Sequence, residues 1–161
     1  MDEFDVYRLL LFFHIGAAVL GLGVTFAYPF LQSAAERSGT GAVRFTMQMF
    51  DRLDKLVVYP AAALIVAFGV GLIFSDVTGY SDDFPVFLMV AIPLFLVTWL
   101  LSLFVQRPIY LAALRTLDGV PDDAPLPEAY GPLGQRVQMV GGLMGLTIVV
   151  IIFLMVWKPG D

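Results

Sequence analysis

The sequence contains no cysteine, a single histidine and few charged residues. Without cysteine the chain forms neither disulfides nor thiolate metal sites, and one histidine excludes a multi-histidine metal centre within a single chain. Charged residues make up 14% of the chain, whereas a soluble domain usually carries about 25%. We therefore expect no metal site, and the shortage of charge indicates that lipid rather than water surrounds much of the chain.

Basic residues are scarcer than acidic ones, with 9 Lys and Arg against 14 Asp and Glu and a formal net charge of −5. Nucleic-acid binding depends on basic side chains that displace counterions from phosphates, so we expect no nucleic-acid partner. The acidic residues lie mainly in the connections and at the ends. Two explanations stay open, namely a halophilic host, in which such residues stay hydrated, and ordinary loop polarity.

Apolar residues are abundant and make up 59% of the chain. They form four runs, each near the ~20 residues that a helix needs to cross a bilayer: 9–31, 56–74, 85–105 and 137–157. Each run must be helical in lipid, because a helix satisfies its own backbone hydrogen bonds. Apolar spacing over 42–56 predicts a helix there, either an extension of the second span into the cytoplasm or a separate helix lying among the lipid headgroups. The sequence predicts an all-α fold, a transmembrane antiparallel four-helix bundle, with 1–161 as one integral membrane domain.

The distribution of Lys and Arg predicts the orientation of the bundle. Most of the 9 basic residues lie in the first and third connections, whereas the second connection, 75–84, contains acids and no base. By the positive-inside rule, the first and third connections face the cytoplasm and both termini lie outside. We expect a multi-pass protein, N-out and C-out, in the lipid bilayer of a prokaryotic plasma membrane.

Small and polar residues follow one face of the first span. Steps of three, four and seven place them on the same side of a helix: Tyr7, His14, Ala18, Gly21, Thr25, Tyr28 and Gln32. The fourth span contains Gly141-x-x-x-Gly145, a motif that lets helices approach closely. We expect Gly21, Thr25, Gly141 and Gly145 to lie at helix interfaces, within the bundle, in a homo-oligomer or against a membrane-protein partner.

His14 is the ionisable residue that lies deepest in the first span. An ionisable residue within a membrane is by default a functional hypothesis, here a haem axial ligand, a proton-relay group or a weak copper ligand. The alternative is a neutral imidazole that hydrogen-bonds a hydroxyl or carbonyl group of a neighbouring helix. A haem b would need a second ligand, and Met89 and Met155 lie at similar depth. Methionine ligates haem in some cytochromes.

Charged residues also gather where the spans reach the predicted cytoplasmic side. We call them the inner-mouth charge cluster: Asp51, Arg52, Asp54, Lys55, Arg107 and Arg136. One interpretation is a site for an anion or a lipid headgroup. The other is a set of salt bridges that fixes topology, in which each exposed pair contributes ~0–1 kcal/mol. The chain shows no nucleophile–base pair, so we expect no catalytic residues and do not favour an enzyme.

Several motifs carry a resemblance that runs nearly the whole length of the chain. They are FFHIGA from Phe12, RLDK followed by VVYPAAALIVAFGVGL, QRPIY from Gln106, and FLMVWKPG at the end. The sequence resembles an uncharacterised family of four-span "predicted integral membrane proteins". It is more distantly similar to copper-resistance D proteins and HemJ-type protoporphyrinogen oxidases, which also place a histidine in the first span. The family resemblance implies a fold and a membrane location but no reaction.

These observations leave three hypotheses for function. The first is a structural or interaction component of the membrane. The second is a haem-binding membrane redox protein that uses His14. The third is a small transporter that acts as an oligomer.

Overall fold

The computed structural model describes residues 2–160, and this part of the chain consists of helices joined by turns. Four long helices are long and apolar enough to cross a membrane. They are the first long helix, Glu3–Ser38, the second, Thr40–Ile73, the third, Val86–Thr116, and the fourth, Tyr130–Trp157. The predicted all-α fold with four spans is confirmed. The long helices exceed the predicted runs because their polar flanks are helical too.

Three of the long helices change helix type along their length. The regular segments are α1 (Glu3–Gly23), α2 (Tyr28–Ser38), α3 (Thr40–Leu53), α4 (Tyr59–Ile73), α5 (Val86–Leu101), α6 (Arg107–Thr116) and α7 (Tyr130–Trp157). A 3₁₀ turn, Val24–Ala27, joins α1 to α2. Wider π turns, Asp54–Val58 and Ser102–Gln106, join α3 to α4 and α5 to α6.

Both π turns immediately precede an X-Pro pair, at Pro60 and Pro108. A proline ring inside an α-helix clashes with the carbonyl four residues earlier. A wider turn relieves that clash, and the N–H of Tyr59 accordingly bonds the carbonyl of Asp54, five residues back. The N–H of Arg107 bonds Ser102 in the same way. The two π turns therefore have a common cause in the sequence.

Close contacts between small residues hold α1 on α4. Leu10 lies against Gly71, and His14 lies against Gly69. Gly21 lies against Ala61, where an added Cβ would come within 2.3 Å of the Ala61 Cβ. The contacts follow opposite chain order on the two helices. In the same order, Tyr28 at the start of α2 meets Asp54 in the π turn.

The tightest packing lies where α2, α3, α6 and α7 meet. This core contains aromatic and aliphatic side chains, among them Tyr28, Val43, Met47, Phe50, Tyr110 and Leu117. Tyr28 stacks on Phe50 with ring centroids 4.1 Å apart. We call this region, which also carries most of the inner-mouth charge cluster, the polar end of the bundle. Away from it, α1 packs on α4 and α5 packs on α7.

Candidate functional site

A cavity of about 390 Å³ lies between the α1–α4 helix pair and the α5–α7 helix pair. Its walls come from all four long helices and are mostly apolar, including Leu22, Val58, Phe95, Met144 and Ile148. Ligand cavities in proteins typically measure about 300–1,000 Å³ and combine apolar walls with a few polar groups. The size and lining of this cavity are therefore those of a site for a small molecule.

The cavity reaches the apolar perimeter of the bundle between the first and fourth long helices. Phe26 and Phe30 of the first helix and Leu146 of the fourth line the cavity and are 40%, 77% and 63% exposed. In a bilayer, exposed apolar side chains at mid-helix face acyl chains. The opening therefore gives the cavity a lateral route to the lipid phase.

Polar groups line the cavity at the polar end of the bundle. Asp54 is 3% exposed, and Tyr28 donates a hydrogen bond to its Oδ1 atom at 3.0 Å. Within residues 2–160, no basic side chain lies within ion-pair distance of Asp54. A buried carboxylate is costly unless it is paired or well hydrogen-bonded. The fold thus keeps a carboxylate at the cavity wall with one side-chain donor.

Gln106, in the second π turn, is 4% exposed and also lines the cavity. Its Nε2 atom donates to the Tyr110 hydroxyl at 2.9 Å and to the carbonyl of Val137 at 3.2 Å, which fixes the amide orientation. The Oε1 atom is buried and has no hydrogen-bond partner in the described chain. Buried polar atoms are nearly always hydrogen-bonded, so this oxygen calls for a donor that the described chain does not supply.

Trp99 adds an unsatisfied donor to the same cavity. Its indole Nε1 is buried without a partner in the described range, and its ring lines the cavity wall. Trp99 lies seven residues before Gln106, which places it roughly 10 Å further along the third long helix at ~1.5 Å per residue. Two residues of the cavity lining, Gln106 and Trp99, therefore each carry a buried polar atom that has no partner in the described chain.

The structure separates Asp54 from the other residues of the inner-mouth charge cluster. Asp51 accepts a hydrogen bond from Arg107 Nε at 2.9 Å and pairs with Lys55 as well. Arg52 and Arg136 are exposed on the surface. Asp54 stands apart from the others, because it faces the cavity rather than the ion pairs.

His14 lies in the interface between α1 and α4. Its Nδ1 atom donates to the carbonyl of Ile65 at 3.0 Å, so Nε2 remains an acceptor. This arrangement suits an interhelical contact, and it also suits a ligating histidine. Met89 is 60% exposed on α5, and Met155 lies on α7. Both methionines therefore belong to the other helix pair.

The four residues predicted at helix interfaces take different places. Gly21 is buried against Ala61. Thr25 lines the cavity, and its hydroxyl donates to the Leu22 carbonyl at 2.7 Å. Gly141 lies under the Gln106 amide, where an added Cβ would come 3.5 Å from Nε2. Gly145 lines the cavity with open space at the position of a Cβ.

The sequence did not reveal the cavity, although it carried signals for parts of it. Thr98, Ser102 and Gln106 recur every four residues in an otherwise apolar run, and all three line the cavity. Asp54 was harder to identify because it stands among other charged residues. Its separation from Asp51 depends on the π turn before Pro60 and on contact with Tyr28, and the second of these follows from tertiary packing.

One comparison with known proteins is informative. A family model described as "Predicted integral membrane protein (DUF2269)" matches residues 8–159. No curated protein and no solved structure matches the chain. The match covers nearly the whole sequence, including every helix that lines the cavity. The distant similarity to copper-resistance D and HemJ-type proteins stays a prediction.

Proposed function

The chain belongs to this family of predicted integral membrane proteins, and we propose that it binds a small amphipathic molecule from the lipid phase in its central cavity. The observation that carries the proposal is the cavity itself, with apolar walls, a lateral opening and buried polar atoms at one end. An apolar body would lie along the walls. A polar head would meet the Gln106 and Asp54 side chains.

The three hypotheses from the sequence gain unequal support. A purely structural role gives no reason for a buried amide oxygen without a partner at a cavity wall. For a haem site, none of His14, Met89 and Met155 lines the cavity. For an oligomeric transporter, Gly141 faces Gln106 within its own chain. Ligand binding, as a sensor, carrier or shielded interaction site, accounts for the cavity best.

The test uses the fluorescence of Trp99, which lines the cavity. The chain has 2 tryptophans, so Trp157→Phe leaves Trp99 as the one emitter. The protein is placed in phosphatidylcholine nanodiscs and titrated with bromododecanol, whose bromine quenches tryptophan on contact. We expect saturable quenching, because the cavity offers a finite site that the probe enters from the lipid.

A pair of variants distinguishes occupancy from simple partition into lipid. Gly145→Phe places a ring in open cavity space and should abolish the saturable quenching. Leu143→Phe changes the same helix at an exposed position that does not line the cavity, and should leave it intact. Quenching that rises linearly with probe and is equal in both variants would contradict the proposal.

A further inference from the structure

We infer that the molecule held in the central cavity carries a protonated amine at the end that reaches Asp54. The inference rests on the proposed function and specifies the chemical class of its ligand. It follows from the charges and the hydrogen-bond acceptors of the side chains at the polar end of the cavity, taken together.

The first step concerns charge. Asp54 is 3% exposed, and its one hydrogen bond from a side chain within the described residues comes from the neutral hydroxyl of Tyr28. A buried carboxylate is stable when a cation accompanies it, since neutral donors offset only part of the lost hydration. The cavity therefore favours an occupant that brings positive charge to this point.

Two basic residues lie near Asp54 along the helices, Lys55 within the first π turn and Arg107 directly after the second, and both pair with Asp51. Their side chains are 46% and 37% exposed, so they lie towards solvent and away from the cavity. Because Asp51 already engages both, neither serves as a counterion for Asp54. Within the described residues no cation faces Asp54, and a cationic ligand would supply one.

Gln106 lines the same end of the cavity as Asp54. Its Oε1 atom is a buried acceptor without a partner in the described chain. An ammonium group has three donors and no acceptor. One such group matches a carboxylate and an amide oxygen together. A carboxylate or phosphate head, by contrast, would meet two acceptors and be repelled.

The other residues that line the cavity indicate the chemistry of the rest of the ligand. The walls beyond the polar end are apolar, which suits a hydrocarbon or aromatic body. The Nε1 of Trp99, roughly 10 Å from Gln106 along the helix, is a donor that suits one acceptor on that body, such as an ether or carbonyl oxygen. The ligand class is an amphipathic amine.

The experiment compares probes of equal length that differ in the head. Dodecylamine, dodecanol and dodecanoate each displace bromododecanol from the Trp157→Phe protein in phosphatidylcholine nanodiscs, with recovery of Trp99 emission as the readout. We expect dodecylamine to bind about tenfold more tightly than dodecanol, and dodecanoate to bind most weakly, because charge-assisted hydrogen bonds are roughly twice as strong as neutral ones.

Two matched variants locate the source of that preference. Asp54→Asn should bring dodecylamine to the affinity of dodecanol, whereas Asp83→Asn removes the same charge at an exposed position outside the cavity and should leave the preference intact. Gln106→Met, which removes the free oxygen, should weaken dodecylamine several-fold and provides a second test should Asp54→Asn not fold.

The outcomes separate the inference from the proposed function. Saturable bromododecanol binding with equal displacement by amine and alcohol, or a preference unchanged in Asp54→Asn, would overturn the inference alone. Absence of saturable binding of any probe would overturn the proposed function.

Discussion

Gly21 and Ala61 meet so closely that no side chain larger than hydrogen fits at position 21. A Cβ added there would lie 2.3 Å from the Cβ of Ala61. In lipid, helices associate through this kind of close packing because exclusion from water does not drive them together. The contact therefore fixes the register of α1 on α4, and with it the position of one side of the cavity.

Gly21→Leu should destabilise the bundle markedly. Overpacking a close interface costs about 1–3 kcal/mol, which a lower thermal unfolding midpoint in detergent would report. Gly16→Leu is the matched control on the same helix, because a Cβ at position 16 meets no atom within 4 Å. Equal midpoints for the two variants would show that the α1–α4 contact does not limit stability.

Loss of the His14 side chain should cost a single interhelical hydrogen bond and some packing on Gly69. Such bonds contribute about 0.6 kcal/mol on average in membrane bundles, so His14→Ala should lower the unfolding midpoint slightly. His14→Gln, which can still donate to the Ile65 carbonyl, should recover part of the loss.

The same purified proteins test the haem hypothesis. We expect no Soret band in the wild-type protein after supplementation with haem. A Soret band that is present in the wild type and absent in His14→Ala would support axial ligation by His14, which its hydrogen-bonded Nδ1 allows. Met89→Leu and Met155→Leu would then identify the second ligand.

Arg44 fixes the connection that follows α6. Its Nη2 atom donates to the carbonyls of Leu117 and Val120 at 2.7 and 2.6 Å, and its Nη1 atom pairs with Asp122. A cation at these carbonyls stabilises the C-terminal end of a helix. Arg44→Ala should therefore expose the connection 118–129 to proteolysis in membranes, whereas Arg52→Ala, at an exposed position, should not. Equal cleavage of both variants would contradict this role.

The ion pairs of Asp51 should make a small, salt-dependent contribution to stability. Asp51→Asn leaves Lys55 and Arg107 without their partner and should cost about 1 kcal/mol at low salt. The loss should shrink in molar salt, where the Debye length is about 3 Å. Asp83→Asn, an exposed control with the same charge change, should show little loss at any salt concentration.

That salt series also addresses the acidic composition of the chain. A wild-type protein that needs molar salt for its full thermal stability would support a halophilic host. A thermal stability that does not change with salt concentration would favour ordinary loop polarity.

The four spans were predictable because each is an uninterrupted apolar run of membrane length. Their true ends were less predictable, since hydropathy marks the part of a helix in lipid and not the polar turns that continue it. The first helix, for example, was predicted over 9–31 and extends over Glu3–Ser38. The prolines at positions 60 and 108 were visible, but the wide turns before them follow from a steric conflict that can be relieved in several ways.

The site was predictable only in fragments. Asp51 and Asp54, three residues apart, would share a face of a regular helix, and the sequence grouped them in one cluster. In the structure one forms surface ion pairs and the other faces the cavity. The π turn before Pro60 and the contact with Tyr28 make that difference, and the Tyr28 contact depends on a residue distant in the chain. The orientation of the bundle, N-out and C-out, stays a prediction.

The central claim, that the cavity holds a small amphipathic molecule, is tested most directly by native mass spectrometry of protein released from detergent-free membrane particles. The account predicts a non-covalent adduct of one small molecule on the wild type and on Leu143→Phe, and its loss in Gly145→Phe, where the added ring fills the cavity. The same adducts in all three proteins, or none in any of them, would contradict it.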